Sequence, residues 1–157
     1  MNQTKEKILK LLEDVYDPEI PVLNIIEMGI VRGVNEIDGG YEIKITPTYS
    51  GCPAMKTIED EILDLLHSEG VEKIKVTKVY SPSWTTNWMS EKTKIKLGGY
   101  GIAPPEENSE EFIFKKITCP FCKSTNTKLT SEFGSTSCKS LHFCNNCLQP
   151  FEHFKCI

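Results

Sequence analysis

Apolar residues recur at helical spacing in two stretches of the first half of this chain and alternate in strand fashion between and after them. Ile8, Leu11, Leu12 and Val15 fall at i, i+3, i+4 and i+7, which predicts an amphipathic helix with Thr4 placed to cap it. That helix is expected to run to Asp17-Pro18, since proline excludes the residue before it from the helical region. Residues 22–28 read as a short apolar connector ending at Gly29. Residues 30–36 and 41–46 alternate around Asp38-Gly39-Gly40, a hairpin signal. A second helix is predicted over about 53–68, with Met55, Ile58, Ile62, Leu65 and Leu66 on one face and Gly70 ending it. Residues 73–80 predict a third strand, and Ser90 a cap for a last short helix reaching Leu97. The order helix, hairpin, helix, strand predicts an α+β fold of two layers, with the helices on one face of a small sheet.

The last third follows a different pattern. Cys119-Pro-Phe-Cys122 and Cys144-Asn-Asn-Cys147 are two Cys-x-x-Cys pairs flanking 21 residues rich in Ser, Thr, Phe and Leu. Each pair can turn two sulfurs onto one ion, and the intervening stretch is long enough for a hairpin that brings the pairs together. Zinc is the default ion, and a four-sulfur site also suits a single iron. Disulfides or buried reduced thiols are the alternative. A structural metal contributes on the order of 10 kcal/mol to a ribbon too small to fold on its own core. No charged and apolar leader pattern opens the chain, and no apolar run reaches the roughly 18 residues of a membrane span. The expectation is a cytoplasmic protein with reduced thiols.

Charge separates the two parts. The chain has 157 residues and a net charge of −4. Residues 115–157 hold six lysines and two acids, about +4, which leaves about −8 upstream. Four thiolates on one divalent ion bring the ribbon to about +2, too weak a basic footprint for nucleic acid. The expected division is an α+β domain over 1–103, an acidic, proline-bearing connector over 104–114 and a ribbon over 115–157.

One upstream position has chemical character. Pro53 at a first helical position puts Cys52 at the N-cap of the second helix. There, free N–H groups and the positive end of the helix dipole would make its thiol more acidic and nucleophilic than a free one. An inert turn thiol is the alternative. Asp17 and Glu19 read either as solvated turn residues, Asp17 making a local Asx bond, or as carboxylates set beside Cys52. Trp84 and Trp88, with Met89, read as packing or as an aromatic patch for a protein partner. His67, His142 and His153 read as ordinary surface or packing residues. Cys138 is expected to be buried and Cys156 exposed. No Glu-x-x-His, phosphate loop or Gly-x-Gly-x-x-Gly occurs, which excludes the helical di-iron, ATPase and nicotinamide signatures.

Asp17-Pro18-Glu19, Met28-Gly29-Ile30-Val31 and Gly51-Cys52-Pro53 resemble the domain shared by SufT-like iron–sulfur assembly factors. The run from Ser131 to Thr136, Cys138-Lys139 and the run from Phe151 to Cys156 extend the likeness. Over nearly the whole chain it resembles the PaaD family, accessory subunits of bacterial phenylacetyl-CoA epoxidase systems. That resemblance implies a non-catalytic subunit in aerobic phenylacetate breakdown, helping to mature a metal centre of the oxygenase or reductase subunit. It implies Cys52 as the functional cysteine, carrying iron or an iron–sulfur cluster transiently, with Asp17 and Glu19 as auxiliaries. It also implies Cys119, Cys122, Cys144 and Cys147 as ligands of a structural metal. One thiolate cannot fill a cluster's coordination shell, so a second copy of the chain, a small thiol or the client would complete it. A structural or regulatory subunit without metal transfer is the alternative.

Overall fold

The computed structural model describes residues 4–106 and 116–155. The chain forms two compact units, Met1–Trp84 and Thr85–Ile157.

The first unit opens with α1 (Lys5–Leu12), whose N-cap Thr4 accepts from the Lys7 N–H. The helix ends at Leu12, short of the expected Asp17. Its chain continues through i→i−3 bonds from Glu13, Asp14 and Val15, and Tyr16 then bridges to Asn24 in extended form. Val15 stays buried, so the apolar spacing that extended the prediction marks core contact rather than helix. Between Tyr16 and Asn24 the chain is tied by two short polar side chains. Asp17 Oδ1 accepts from the Glu19 and Ile20 N–H groups at 2.7 and 3.1 Å. Asn24 Oδ1 accepts from Ile26 and Glu27 at 3.0 and 2.8 Å. These bonds satisfy backbone donors that would otherwise be buried unpaired, and they let Ile20, Leu23, Ile25, Met28 and Ile30 enter the core from a segment without regular structure.

Strands β1 (Val31–Ile37) and β2 (Gly40–Ile45) form the expected antiparallel hairpin. Helix α2 (Ala54–Ser68) then crosses over to β3 (Ile74–Lys78), which pairs parallel to β2. The sheet order is β1-β2-β3. Tyr41, Ile43 and Ile45 give β2 one buried face, as the period of two requires. Helix α1 touches both β1 and α2, and α2 touches β3, so the two helices cover one face of the sheet. Trp84 is buried, its indole N–H donating to the Met28 carbonyl at 2.7 Å. Packing is therefore the reading that holds for Trp84.

The second unit contains a 3₁₀ turn at Thr86–Trp88, α3 (Glu91–Tyr100) capped by Ser90, and four strands. These are β4 (Ile102–Ala103), β5 (Thr127–Ser131), β6 (Lys139–Cys144) and β7 (Pro150–Phe154), in the order β4-β7-β6-β5. The division between the units thus falls at Trp84/Thr85, not after residue 103. The reason is the parallel pairing of Ile102–Ala103 with Glu152–His153, which draws β4 into the ribbon sheet. Of the expected connector, residues 107–114 lie outside the described residues, as does Cys156. Cys138 is buried as expected, against the Thr136 hydroxyl at 3.0 Å. His142 and His153 are buried and meet edge-to-face, while His67 lies exposed near the end of α2.

The hairpin supplies a test of the first unit. A Cβ on Gly40 would overlap the Lys73 carbonyl oxygen, which accepts from the Tyr41 N–H. Gly40→Ala is expected to cost about 1–3 kcal/mol, read as a lowered urea midpoint with unchanged slope.

Candidate functional site

The ribbon site is built by two turns of the same design. In the first, the Lys123 N–H donates to the Cys119 carbonyl at 3.0 Å and the Cys119 N–H to the Ser124 carbonyl at 2.9 Å. In the second, Leu148 donates to Cys144 at 3.0 Å and Cys144 to Gln149 at 3.0 Å. Lys123 and Leu148, each next after the second cysteine of its pair, hold positive φ of 64° and 61°. Both are non-glycine residues in the left-handed region, a conformation that costs energy and persists where the surroundings impose it. The repeated turn aims all four sulfurs at one point.

Cys119, Cys122, Cys144 and Cys147 place their sulfurs within 4.8 Å of one another. Cys119 and Cys147 are 3.7 Å apart, and Cys122 and Cys144 3.5 Å. A tetrahedron with metal–sulfur bonds of about 2.3 Å has edges of about 3.8 Å, so the donor set fits a tetrahedral ion. The Asn146 side-chain amide donates to Cys122 Sγ and the Cys147 N–H to Cys144 Sγ, both at 3.5 Å. The Cys122 thiol is held down to about 6, first by Asn146 and then by the Ser124 N–H. Cys147 is pushed up to about 12, first by burial. One negative charge is easily placed in this cluster and the next is resisted, and a divalent cation reverses the resistance. The sulfurs are also core: Cys119 and Cys144 are buried with Ala103, Ile117 and Phe151.

Cys52 sits at the entrance of α2. The helix is entered through Pro53, with helical dihedrals of −71° and −20°, and the Cys52 thiol accepts from the Ala54 N–H. The expected capping contact is present, but its consequence differs. The thiol is raised above its ordinary value, first by its half-burial, with Glu19 and Asp17 adding to the rise. The Ala54 N–H and the Tyr49 hydroxyl work the other way and are outweighed. The expectation of an unusually acidic Cys52 is therefore corrected: desolvation and two nearby carboxylates outweigh one helix N-terminus. The structure does bring Asp17, Glu19 and Cys52 into electrostatic reach. Asp17 is 5% exposed and binds its own loop, so the Asx reading holds for it alongside its proximity. Glu19 accepts from the Tyr49 hydroxyl at 3.4 Å. Tyr49 and Asn146 escaped the sequence reading; the one signal for each was its place beside or within a cysteine motif.

Residues 103–155 match the family described as PaaD zinc beta ribbon domain, and residues 5–79 the family described as iron–sulfur cluster assembly protein. A relative from Escherichia coli (strain K12) bears the name "Putative 1,2-phenylacetyl-CoA epoxidase" and is the fourth-lettered (D) component of that system. The chain is 43% identical to it over 152 residues, covering 96% of this chain and 92% of that one. The chain belongs to the PaaD family. A Porphyromonas gingivalis (strain ATCC BAA-308 / W83) protein named an Fe-S protein maturation auxiliary factor is 37% identical over 98 residues, 61% of this chain and 92% of its own. The crystal structure of a domain of unknown function, DUF59, from Bacillus anthracis superimposes with a TM-score of 0.56 at 32% identity, covering 60% of this chain and 91% of that one. The α+β fold and the C-terminal zinc ribbon expected for this PaaD-family chain are thus both present. No helix among the described residues is long and apolar enough to cross a membrane.

Two outcomes follow from these sites. Cys144→Ser should remove the bound metal, measured by elemental analysis, and open the ribbon to limited proteolysis while the first unit keeps its melting transition. Cys52 should alkylate more slowly than a free cysteine at neutral pH. A raised thiol is protonated there, so its rate should climb with pH past the point where an ordinary cysteine levels off.

Proposed function

We propose that this PaaD-family chain is a non-catalytic maturation factor for the phenylacetyl-CoA epoxidase system, acting on the oxygenase or the reductase subunit. Its first unit carries iron or an iron–sulfur cluster transiently at Cys52, with Glu19 and Asp17 as auxiliary groups. Its ribbon holds zinc through Cys119, Cys122, Cys144 and Cys147 and docks the client. The observation that carries this reading is the joining in one chain of an iron–sulfur-assembly match and a PaaD ribbon match. The names of the relatives support each half: an epoxidase component over the whole length and Fe-S maturation factors over the first unit. The carboxylates beside Cys52 support a cationic cargo, because charges that disfavour a bare thiolate favour a thiolate that holds a metal. A single thiolate leaves the cargo's remaining positions to a second copy of the chain, a small thiol or the client.

The name of the full-length relative also favours a second reading, a structural or regulatory subunit of the assembled enzyme. Iron occupancy separates the two. Oxygenase and reductase subunits would be purified from cells making this chain, its Cys52→Ala variant or neither. Maturation predicts low iron in one subunit without the chain and equally low iron with the variant. Full iron in all three cases with lost turnover would leave the structural or regulatory reading.

A further inference from the structure

We infer that Tyr49 is the positioning residue of the Cys52 site, its hydroxyl holding the Glu19 carboxylate beside the thiol. The inference rests on the reading of Cys52 as the working thiol and adds how its surroundings are set. Tyr49 and Cys52 are the ends of one turn, closed by the Cys52 N–H donating to the Tyr49 carbonyl at 3.2 Å. Gly51, the third residue of that turn, has φ of 77°, the left-handed value such a turn requires of glycine. The turn therefore sets the phenol alongside the thiol by backbone geometry alone, and the hydroxyl reaches the Cys52 sulfur. The same hydroxyl donates to Glu19 Oε1 at 3.4 Å, across 30 residues of sequence.

Glu19 is thus fixed at both ends. Its backbone N–H is bound by the buried Asp17 at 2.7 Å, and its carboxylate by Tyr49. A glutamate side chain released from such a bond regains rotamer freedom and turns to water. Tyrosine is the residue that prevents this, since phenylalanine would keep the ring and lose the donor. A carboxylate held at the thiol repels anions and attracts cations, so Tyr49 acts through Glu19 on the kind of species that reaches Cys52.

Reagent charge reads this directly. Alkylation of Cys52 in the zinc-loaded full chain would be followed by peptide mass spectrometry with neutral iodoacetamide and anionic iodoacetate at one pH. The ratio of the two rates cancels the thiolate fraction, and a general loosening of structure would speed both reagents alike. Wild type is expected to disfavour iodoacetate by about three- to tenfold more than a free cysteine does, the size of one unit charge at close range in water. Glu19→Gln and Tyr49→Phe should each reduce that discrimination, and the double variant should reduce it no further than either alone. Wild-type discrimination retained in Tyr49→Phe overturns the assignment, whether or not Glu19→Gln lowers it. Tyr49→Leu, also without a hydroxyl, serves if the phenylalanine variant does not fold. The measurement needs no client, so a changed ratio together with unaffected client iron would sink the maturation reading and leave the role of Tyr49 standing.

Discussion

Four thiols brought within 4.8 Å of one another stay together only if protons leave and a cation replaces them. That exchange governs the whole second unit. The buried apolar cluster around the site consists of Ala103, Ile117 and Phe151 beside the sulfurs of Cys119 and Cys144, too few side chains to offset the ordering of the strands that hold them. The ion is therefore part of the core. The strained left-handed residues Lys123 and Leu148 are tolerated for the same reason, since the binding free energy of a tetrathiolate site far exceeds the cost of two such conformations. Because the ligands must lose protons, the stability of this unit is tied to pH in a way that the first unit, with its aliphatic core, is not.

The first unit solves a different problem. Its core draws Ile20, Leu23, Ile25, Met28 and Ile30 from a segment with no helix or strand of its own. Burying irregular backbone is costly unless each donor is satisfied, and Asp17 and Asn24 satisfy four N–H groups there. The acidic motif before the second proline is thus structural first. The bond that closes the loop at Asp17 also fixes where Glu19 leaves it, so fold and site share one residue.

What was legible in the chain follows the range of the interactions involved. The hairpin, the second helix, the third strand and the clustering of the four ribbon cysteines were readable because turn residues, 3.6-residue and two-residue periods and cysteine spacing are local. The end of α1 was misread because Val15 carries the apolar period into a segment that tertiary contacts turn outward to meet Asn24. The unit boundary was misread because β4 is defined by pairing with Glu152–His153, a partner some 50 residues away that no local pattern announces. Tyr49 was passed over because its meaning lies in Glu19, 30 residues distant.

The misjudged acidity of Cys52 is the most informative of these differences. A helix N-terminus viewed alone predicts a stabilised thiolate, and the Ala54 N–H does supply that contact. Half-burial and two carboxylates reverse the balance. A thiol meant to attack electrophiles would gain nothing from carboxylates, which suppress the reactive anion and repel negatively charged reactants. A thiol meant to receive a cation gains from them, because the same charges that hold the proton in place favour the metal that displaces it. The ribbon follows the opposite rule, lowering Cys122 with the Asn146 amide and the Ser124 N–H and leaving the ion to offset the other sulfurs. Amide donors suit a site that keeps its metal, whereas carboxylates, which compete with the metal for the proton and move with it, suit one that lets its cargo go.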